Sequence, residues 1–379
     1  LVPDYAVGFG PALWKKKIGD TTYALRAILL GGYVKIVGMY APARPGTRLV
    51  GRGGKPTLAQ EAREASAEEI PQGQEHRAFY LLSAPKKVVV MLGGPLMNLL
   101  IAIVLSAVTM IGIGAPTASR TIAAVPATIS TSSGEVASPA YEAGVRPGDT
   151  VEAWNGQPVT TFAELQQAVG ATPEGESATL TVERDGGRVD LTVTPVTGAQ
   201  GARYVGVTAA YEYVSASPAD VARADWQMFT GTASVVVRLP QAVWQVGRSI
   251  VTDEERDASG VVSVVGVGRM AGEVTGDSAA LGLRDTRQVV AVLLSLLASL
   301  NMALFVFNLI PLPPLDGGHI LGAVFEGVRR QVARLRGKED PGPADTARLV
   351  PLTWAVGGLL VAMSVILIVA DIVKPVSLG

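Results

Sequence analysis

The residues best suited to chemistry lie in one run, Asn308-Leu309-Ile310-Pro311-Leu312-Pro313-Pro314-Leu315-Asp316-Gly317-Gly318-His319, at the end of a long apolar stretch. A carboxylate at the end of a lipid-buried helix is costly unless it is paired, metal-bound or beside water. Pro311, Pro313 and Pro314 end regular helix ahead of it, and Gly317-Gly318 free the backbone after it. Broken helix at membrane depth is tolerated where it lines a protein site or a watery cavity. A carboxylate held there suits a hard or borderline cation. Zinc accepts Asp oxygen, and a catalytic zinc takes three protein ligands while keeping one position open for water. Asp316 is the candidate metal ligand.

Asn301 and Asn308, seven apart, share the helical face leading to Asp316. Their amides suit the backbone of an extended substrate, whose peptide groups need partners away from water. Gluing helices together is the alternative role for both. Gly93-Gly94-Pro95-Leu96-Met97-Asn98 repeats the mix of small residues, proline and asparagine on an earlier apolar stretch, which reads first as close helix packing. His319 follows Asp316 by three, but the glycines argue against helix there, so it reads as a surface residue rather than a second ligand. With two histidines and no cysteine, these residues do not assemble a three-ligand zinc site alone. The lack of cysteine also excludes disulfides and thiolate metal sites.

The elements that must position these residues follow from hydropathy. The 379 residues are 48% apolar and only 17% charged, with a mean hydropathy of +0.33. Uncharged runs at Val88–Ile113, Val289–Leu315 and Val350–Ala370 are each long enough to cross a bilayer, which takes roughly 20 residues. A soluble hydrolase is thereby excluded. Residues 1–87 carry 13 Lys/Arg against 7 Asp/Glu, residues 317–349 carry 6 against 4, and residues 116–287 carry 12 against 20. Basic flanks belong in the cytoplasm, which puts the acidic segment outside. A net charge of −1 gives no global basic field for nucleic acid.

The expected organisation is a cytoplasmic segment 1–87, a transmembrane helix 88–115, an extracytoplasmic β-rich domain 118–212 and an extracytoplasmic amphipathic region 213–287. A transmembrane helix 288–316, a cytoplasmic loop 317–349 and a transmembrane helix 350–373 complete it. Within the first segment, Tyr23–Ile36 reads as two short strands around a turn, a membrane-associated hairpin at about 21–38 centred on Gly31 and Gly32. Its edge suits an unwound substrate strand added by backbone pairing. In the outer domain, Ala143-Gly144-Val145-Arg146-Pro147-Gly148-Asp149-Thr150-Val151 is a turn-then-strand pattern. Asn155-Gly156 and Asp185-Gly186-Gly187 predict tight hairpins, and Thr160-Thr161 predicts an N-cap for a helix over Phe162–Val169. The domain resembles a bacterial PDZ domain, with a peptide groove expected near Tyr204-Val205-Gly206-Val207.

Together the motifs identify a wider resemblance. Val7-Gly8-Phe9-Gly10-Pro11 with Leu13-Trp14, Leu30-Gly31-Gly32-Tyr33-Val34-Lys35, Gly94-Pro95-Leu96-Met97-Asn98, the PDZ run, Ser263-Val264-Val265-Gly266, and Asn308 to Gly318 occur in the order found in the site-2 proteases. The chain resembles the bacterial PDZ-containing intramembrane zinc metalloproteases of the regulator of sigma-E protease type, in their actinobacterial form. The resemblance implies a polytopic α-helical membrane protein with three transmembrane helices here, an inserted β-rich PDZ domain, and a fourth helix expected ahead of Leu1. It implies Zn2+ as cofactor, Asp316 as its ligand, and Asn308, Pro311 and Pro313 as substrate-binding residues, to which the reading of the residues themselves adds Asn301, Gly31 and Gly32. The family's other two ligands and its general base lie in an HExxH motif, which is not among these residues. The implied substrate is a transmembrane segment of a membrane-bound regulator such as an anti-sigma factor, with a further peptide ligand at the PDZ domain and no nucleic acid. The rival readings are a non-catalytic PDZ membrane scaffold and a transporter with broken helices, the latter lacking paired repeats.

Overall fold

The structure, a computed structural model, describes residues 2–51, 53–131, 134–198, 201–252, 262–276 and 285–374. In chain order it opens with β1 (Asp4–Ile18), β2 (Thr21–Lys35), α1 (Leu58–Glu68) and α2 (Ala84–Ala107), the last running on through a π-helical turn to Gly114. Strands β3 (Ala115–Ala124), β4 (Thr128–Thr131) and β5 (Gly134–Ala137), the one-turn α3 (Pro139–Glu142), β6 (Thr150–Trp154) and β7 (Gln157–Pro158) follow. Next come α4 (Phe162–Ala171), β8 (Ala178–Arg184), β9 (Gly187–Val193), β10 (Val196–Thr197), β11 (Arg203–Tyr204) and β12 (Thr208–Val214). The remaining helices are α5 (Pro218–Val251), α6 (Val264–Gly276), α7 (Thr286–Asn308), α8 (Asp316–Leu335) and α9 (Val350–Val373). Two compact units result, one of residues 1–106 and 222–379 and one of residues 107–221.

The first unit is mainly helical. Ala84–Gly114, Thr286–Asn308 and Thr346–Val373 are long and apolar enough to span a membrane. Ala102 of α2 packs with Met302, Phe305 and Val306 of α7, and Phe229 of α5 lies against them. Val246 of α5 meets Leu367 and Ala370 of α9. Two expectations need correction. The helix expected to run to Asp316 stops at Asn308, because Pro311 disfavours helical backbone at Ile310 and offers no N–H. The stretch 317–349 is not a loop throughout: Asp316–Leu335 is helix, with the two glycines inside its first turn.

The hairpin also differs from expectation. Asp4 lies opposite both Lys35 and Thr22, and Val7 opposite both Gly32 and Leu25. Ala12–Ile18 pairs with Thr21–Arg26 across a turn at Gly19-Asp20. The segments around Gly31 therefore flank the start of β1 rather than pairing with each other. The result is a small sheet ordered 12–18, 21–26, 4–7, 32–35, with Gly10 at a φ of 81° where β1 bends.

The second unit is β-rich. Its main sheet runs β12-β3-β6-β8-β9, with β7 beside β6. Asn155-Gly156 (φ 48° and 76°) and Asp185-Gly186 (φ 52° and 78°) make the tight turns, as these dipeptides do where both central residues need positive φ. Thr161 and Glu164 form a reciprocal capping box on α4. Ile122, Val151, Trp154, Leu165, Leu180, Val182 and Val193 make the core.

Asp149, just before β6, is buried. It accepts from Arg184 Nε and Nη2, both at 2.7 Å, and from the Arg146 N–H at 2.8 Å. Burial alone would raise its carboxyl, but Arg184 and the Arg146 N–H outweigh it and hold it below the usual range. A carboxyl lowered on folding contributes stability that is complete above its unfolded value of about 3.9 and is lost as pH falls through the folded value. Asp149→Ala should destabilise the unit by about 3 kcal/mol, the low end for a broken buried pair because Arg184 is partly exposed. Hydrogen exchange of β6, β8 and β9 checks this: the wild type should lose protection below about pH 4, and the variant should show much less of that pH dependence.

Candidate active site

Asp316 is the first residue of α8, where the helix dipole favours a negative charge. Its carboxylate lies against the first span: a Cβ built on Gly94 would sit 3.6 Å from Asp316 Oδ2. Leu309–Leu315 folds back over the start of α8, which explains the two glycines. A Cβ at Gly317 would collide with the Ile310 carbonyl, and one at Gly318 would lie 2.5 Å from Pro313 N. Both collisions are with backbone, which a rotamer change does not relieve. The same reversal buries Pro313 and leaves Pro311 exposed.

Below Asp316, α2 and α8 stay in contact. Lys87 Nζ donates to both Glu326 oxygens, at 2.9 and 2.8 Å, and the pair is 6% and 2% exposed. Glu326 also meets Arg330 at 3.2 Å and accepts from the Ala344 N–H at 2.8 Å. A Cβ on Gly327 would lie 3.1 Å from Ala84 Cβ. Contacts of residue 94 with 316, 87 with 326 and 84 with 327 show the two helices running in opposite directions. A buried ion pair is a poor source of net stability, but it punishes any arrangement that separates its partners. Register between the two helices is thus tightly specified.

The other expected site residues are distributed around this pair. Asn308, half-buried, is the last residue of α7, and its amide makes no hydrogen bond among the described residues. Asn301 is buried and donates to Leu297 O of its own helix at 2.8 Å, so one of its two donors is already used. Gly32 sits on the outer segment 32–35 of the small sheet, opposite Val7, and Gly31 precedes it within β2. His319 lies one turn after Asp316 on the same helix, close enough for the two to interact electrostatically.

Three features were not apparent in the sequence. Arg26 reaches from β2 to Gly10 O at 2.7 Å and Tyr33 Oη at 2.8 Å, tying the bend of β1 to the outer segment. Asp371, buried in the third span, accepts from the Ser263 N–H at 2.6 Å and anchors the Ser263–Gly266 motif. The Lys87–Glu326 pair links residues 239 positions apart. A charge bordering an uncharged run was the available signal for Lys87 and Asp371, since such a residue needs a partner if the span extends over it.

A zinc ion is not accommodated by these residues alone. Catalytic zinc needs three protein ligands, and no group of three His, Cys, Asp or Glu side chains converges among the described residues. Among the described residues this site offers one carboxylate, Asp316, beside Gly94.

The family model for peptidase family M50 matches residues 1–340. The chain belongs to peptidase family M50. It is therefore a membrane-embedded zinc metalloprotease of the site-2 protease family. Zinc metalloprotease Rip1 of Mycobacterium tuberculosis is 32% identical over 404 residues, covering 99% of this chain and 90% of that protein. Zinc metalloprotease Rip1 of Mycolicibacterium smegmatis is 30% identical over 411 residues, covering 99% and 90%. Metalloprotease MmpA of Caulobacter vibrioides is 25% identical over 350 residues, covering 87% and 80%.

For this M50 protease the glycine contacts rank three substitutions. Gly317→Ala and Gly318→Ala must shift the backbone of the reversal or the start of α8, and if Asp316 moves with it by roughly 1 Å the rate should fall about a hundredfold. Gly94→Ala makes only ordinary contact and should stay within a few-fold of wild type. Cleavage of a model transmembrane substrate in membranes, normalised to protein level, tests the ranking.

Proposed function

We propose that this protease cuts transmembrane segments of membrane-bound regulators, anti-sigma-factor-like proteins, in regulated intramembrane proteolysis, and that Asp316 is one ligand of its zinc. The observation that carries the reading is the Asp316 carboxylate, held at a helix start against Gly94 with no hydrogen bond among the described residues. A half-buried carboxylate in a span-lined crevice is held at a cost that metal ligation would repay. Among the described residues no group of three such donors converges at it.

Substrate contact falls to Asn308, Pro311 and Pro313 beside Asp316, to Asn301, and to Gly31 and Gly32 on the small sheet. Asn308 is the best placed, since its amide is unengaged and lies at the break. An unwound substrate strand would pair with the segment at Gly32, where the absence of a side chain lets another backbone approach.

The β-rich unit reads as a PDZ domain that takes a peptide end. A cavity of about 380 Å³ lies between α4 and the Tyr204–Thr208 segment, lined by Ile129, Phe162, Leu165, Val169, Tyr204 and Val207. An apolar groove of this kind suits one anchoring side chain of a bound peptide. The charge distribution supports a multi-pass topology with this unit outside the cytoplasm and the small sheet and α8 inside.

The full-length protein tests the assignment. Asp316→Asn should lose most of its zinc and its cleavage activity together. Asn308→Ala should keep its zinc and lower kcat/KM about tenfold, the order expected when a substrate peptide group loses one hydrogen bond. Unchanged zinc and cleavage in Asp316→Asn would overturn the ligand assignment.

A further inference from the structure

The closed end of the β1–β2 hairpin carries Lys15, Lys16 and Lys17 in succession, all exposed. Among the described residues none of the three forms an ion pair, and the carboxylate in the turn, Asp20, is engaged by Arg77 at 2.5 Å. The same run is apolar at its flanks. Leu13, Trp14 and Ile18 are 68%, 51% and 57% exposed, and Tyr23, opposite Lys16, meets the tilted ring of Tyr5 with centroids 5.6 Å apart. Residues alternate faces along a strand, so Trp14, Lys16 and Ile18 share one face, and Leu13, Lys15 and Lys17 the other.

The position of this end is fixed by contacts. Arg77, which holds Asp20, and Phe79 and Tyr80, which donate to Val37 O and Gly38 O at 3.1 and 2.9 Å, lie just before the first span at Ala84. These contacts tie the hairpin's closed end to the segment that leads into the first span, which carries exposed Lys86 near its start. Lysine stems lie along apolar surface while their heads reach the interface, and tryptophan and tyrosine favour that depth.

We infer that Lys15, Lys16 and Lys17 bind anionic phospholipid headgroups, with Trp14 and Ile18 seated at the edge of the acyl chains. Lipid contact of this kind fixes the depth of the small sheet independently of any substrate. Lysines on an outer strand also discourage unwanted pairing, a role that needs no lipid.

The experiment uses the full-length protein in phosphatidylcholine vesicles containing either brominated phosphatidylcholine or brominated phosphatidylglycerol, with Trp14→Phe isolating the Trp14 signal. Trp14 emission should be quenched preferentially by the brominated phosphatidylglycerol. The preference should fall about fivefold for each lysine replaced by glutamine, the order expected for a basic side chain at an anionic surface. Replacement of all three by arginine should retain it. Equal quenching by the two lipids, a preference that survives the triple glutamine variant, or no quenching traceable to Trp14 would each overturn the inference.

Discussion

A carboxylate that must sit beside a lipid-length helix needs a place where that helix leaves room, and Gly94 is that place. The remaining geometry of the first unit follows from the approach of Asp316 to Gly94. The chain leaves α7 at Asn308, reverses through Leu309–Leu315, and starts α8 with the carboxylate in hand. The reversal is tight enough that Gly317 and Gly318 must lack side chains. Lys87–Glu326 then holds α8 against α2 further along. Each device serves the same end: two helices at one register, with the acid at the crossing.

Polar groups in the apolar part of this unit fall into two sets. Lys87, Glu326, Asp371 and Asn301 are engaged by ion pairs or backbone groups. Asp316 and Asn308, both half-buried, make no hydrogen bond among the described residues. Unpaired polar groups away from water are costly, and structure retains such costs mainly where function uses them. Among these six residues the division separates four that hold the scaffold from two whose side chains make no hydrogen bond in it.

Local rules made much of this visible in the sequence. The three spans follow from uncharged length, and the turns at Asn155-Gly156 and Asp185-Gly186 follow from dipeptides that accept positive φ. Helix α8 did not, because Gly317-Gly318 have poor helix propensity. Tertiary contact overrides that weakness: buried Ala323 and Glu326 pack α8 against its neighbours, and the glycines are demanded by the fold-back instead. The hairpin failed for a different reason. Its local pattern is compatible with 23–28 pairing to 32–36, and only the insertion of Asp4–Val7 between them, a contact distant in sequence, decides the arrangement. Lys87–Glu326 and Asp371–Ser263 are likewise non-local, and no periodicity encodes their pairing.

The small sheet has two outer segments, and their chemistry is unequal. Ala12–Ile18 carries three adjacent lysines, whose charge and bulk discourage another strand. Gly32–Lys35 carries one lysine, and Lys35 is drawn aside by Glu69 at 3.0 Å. Arg26, bonded to both Gly10 O and Tyr33 Oη, stiffens the sheet toward the second side. A strand arriving from the membrane therefore meets one edge turned to headgroup charge and one with bare backbone at Gly32. If a substrate strand pairs with this sheet, edge chemistry directs it to the second. The lysine run and the glycine pair then act together, one setting the depth of the sheet and the other leaving a single edge open.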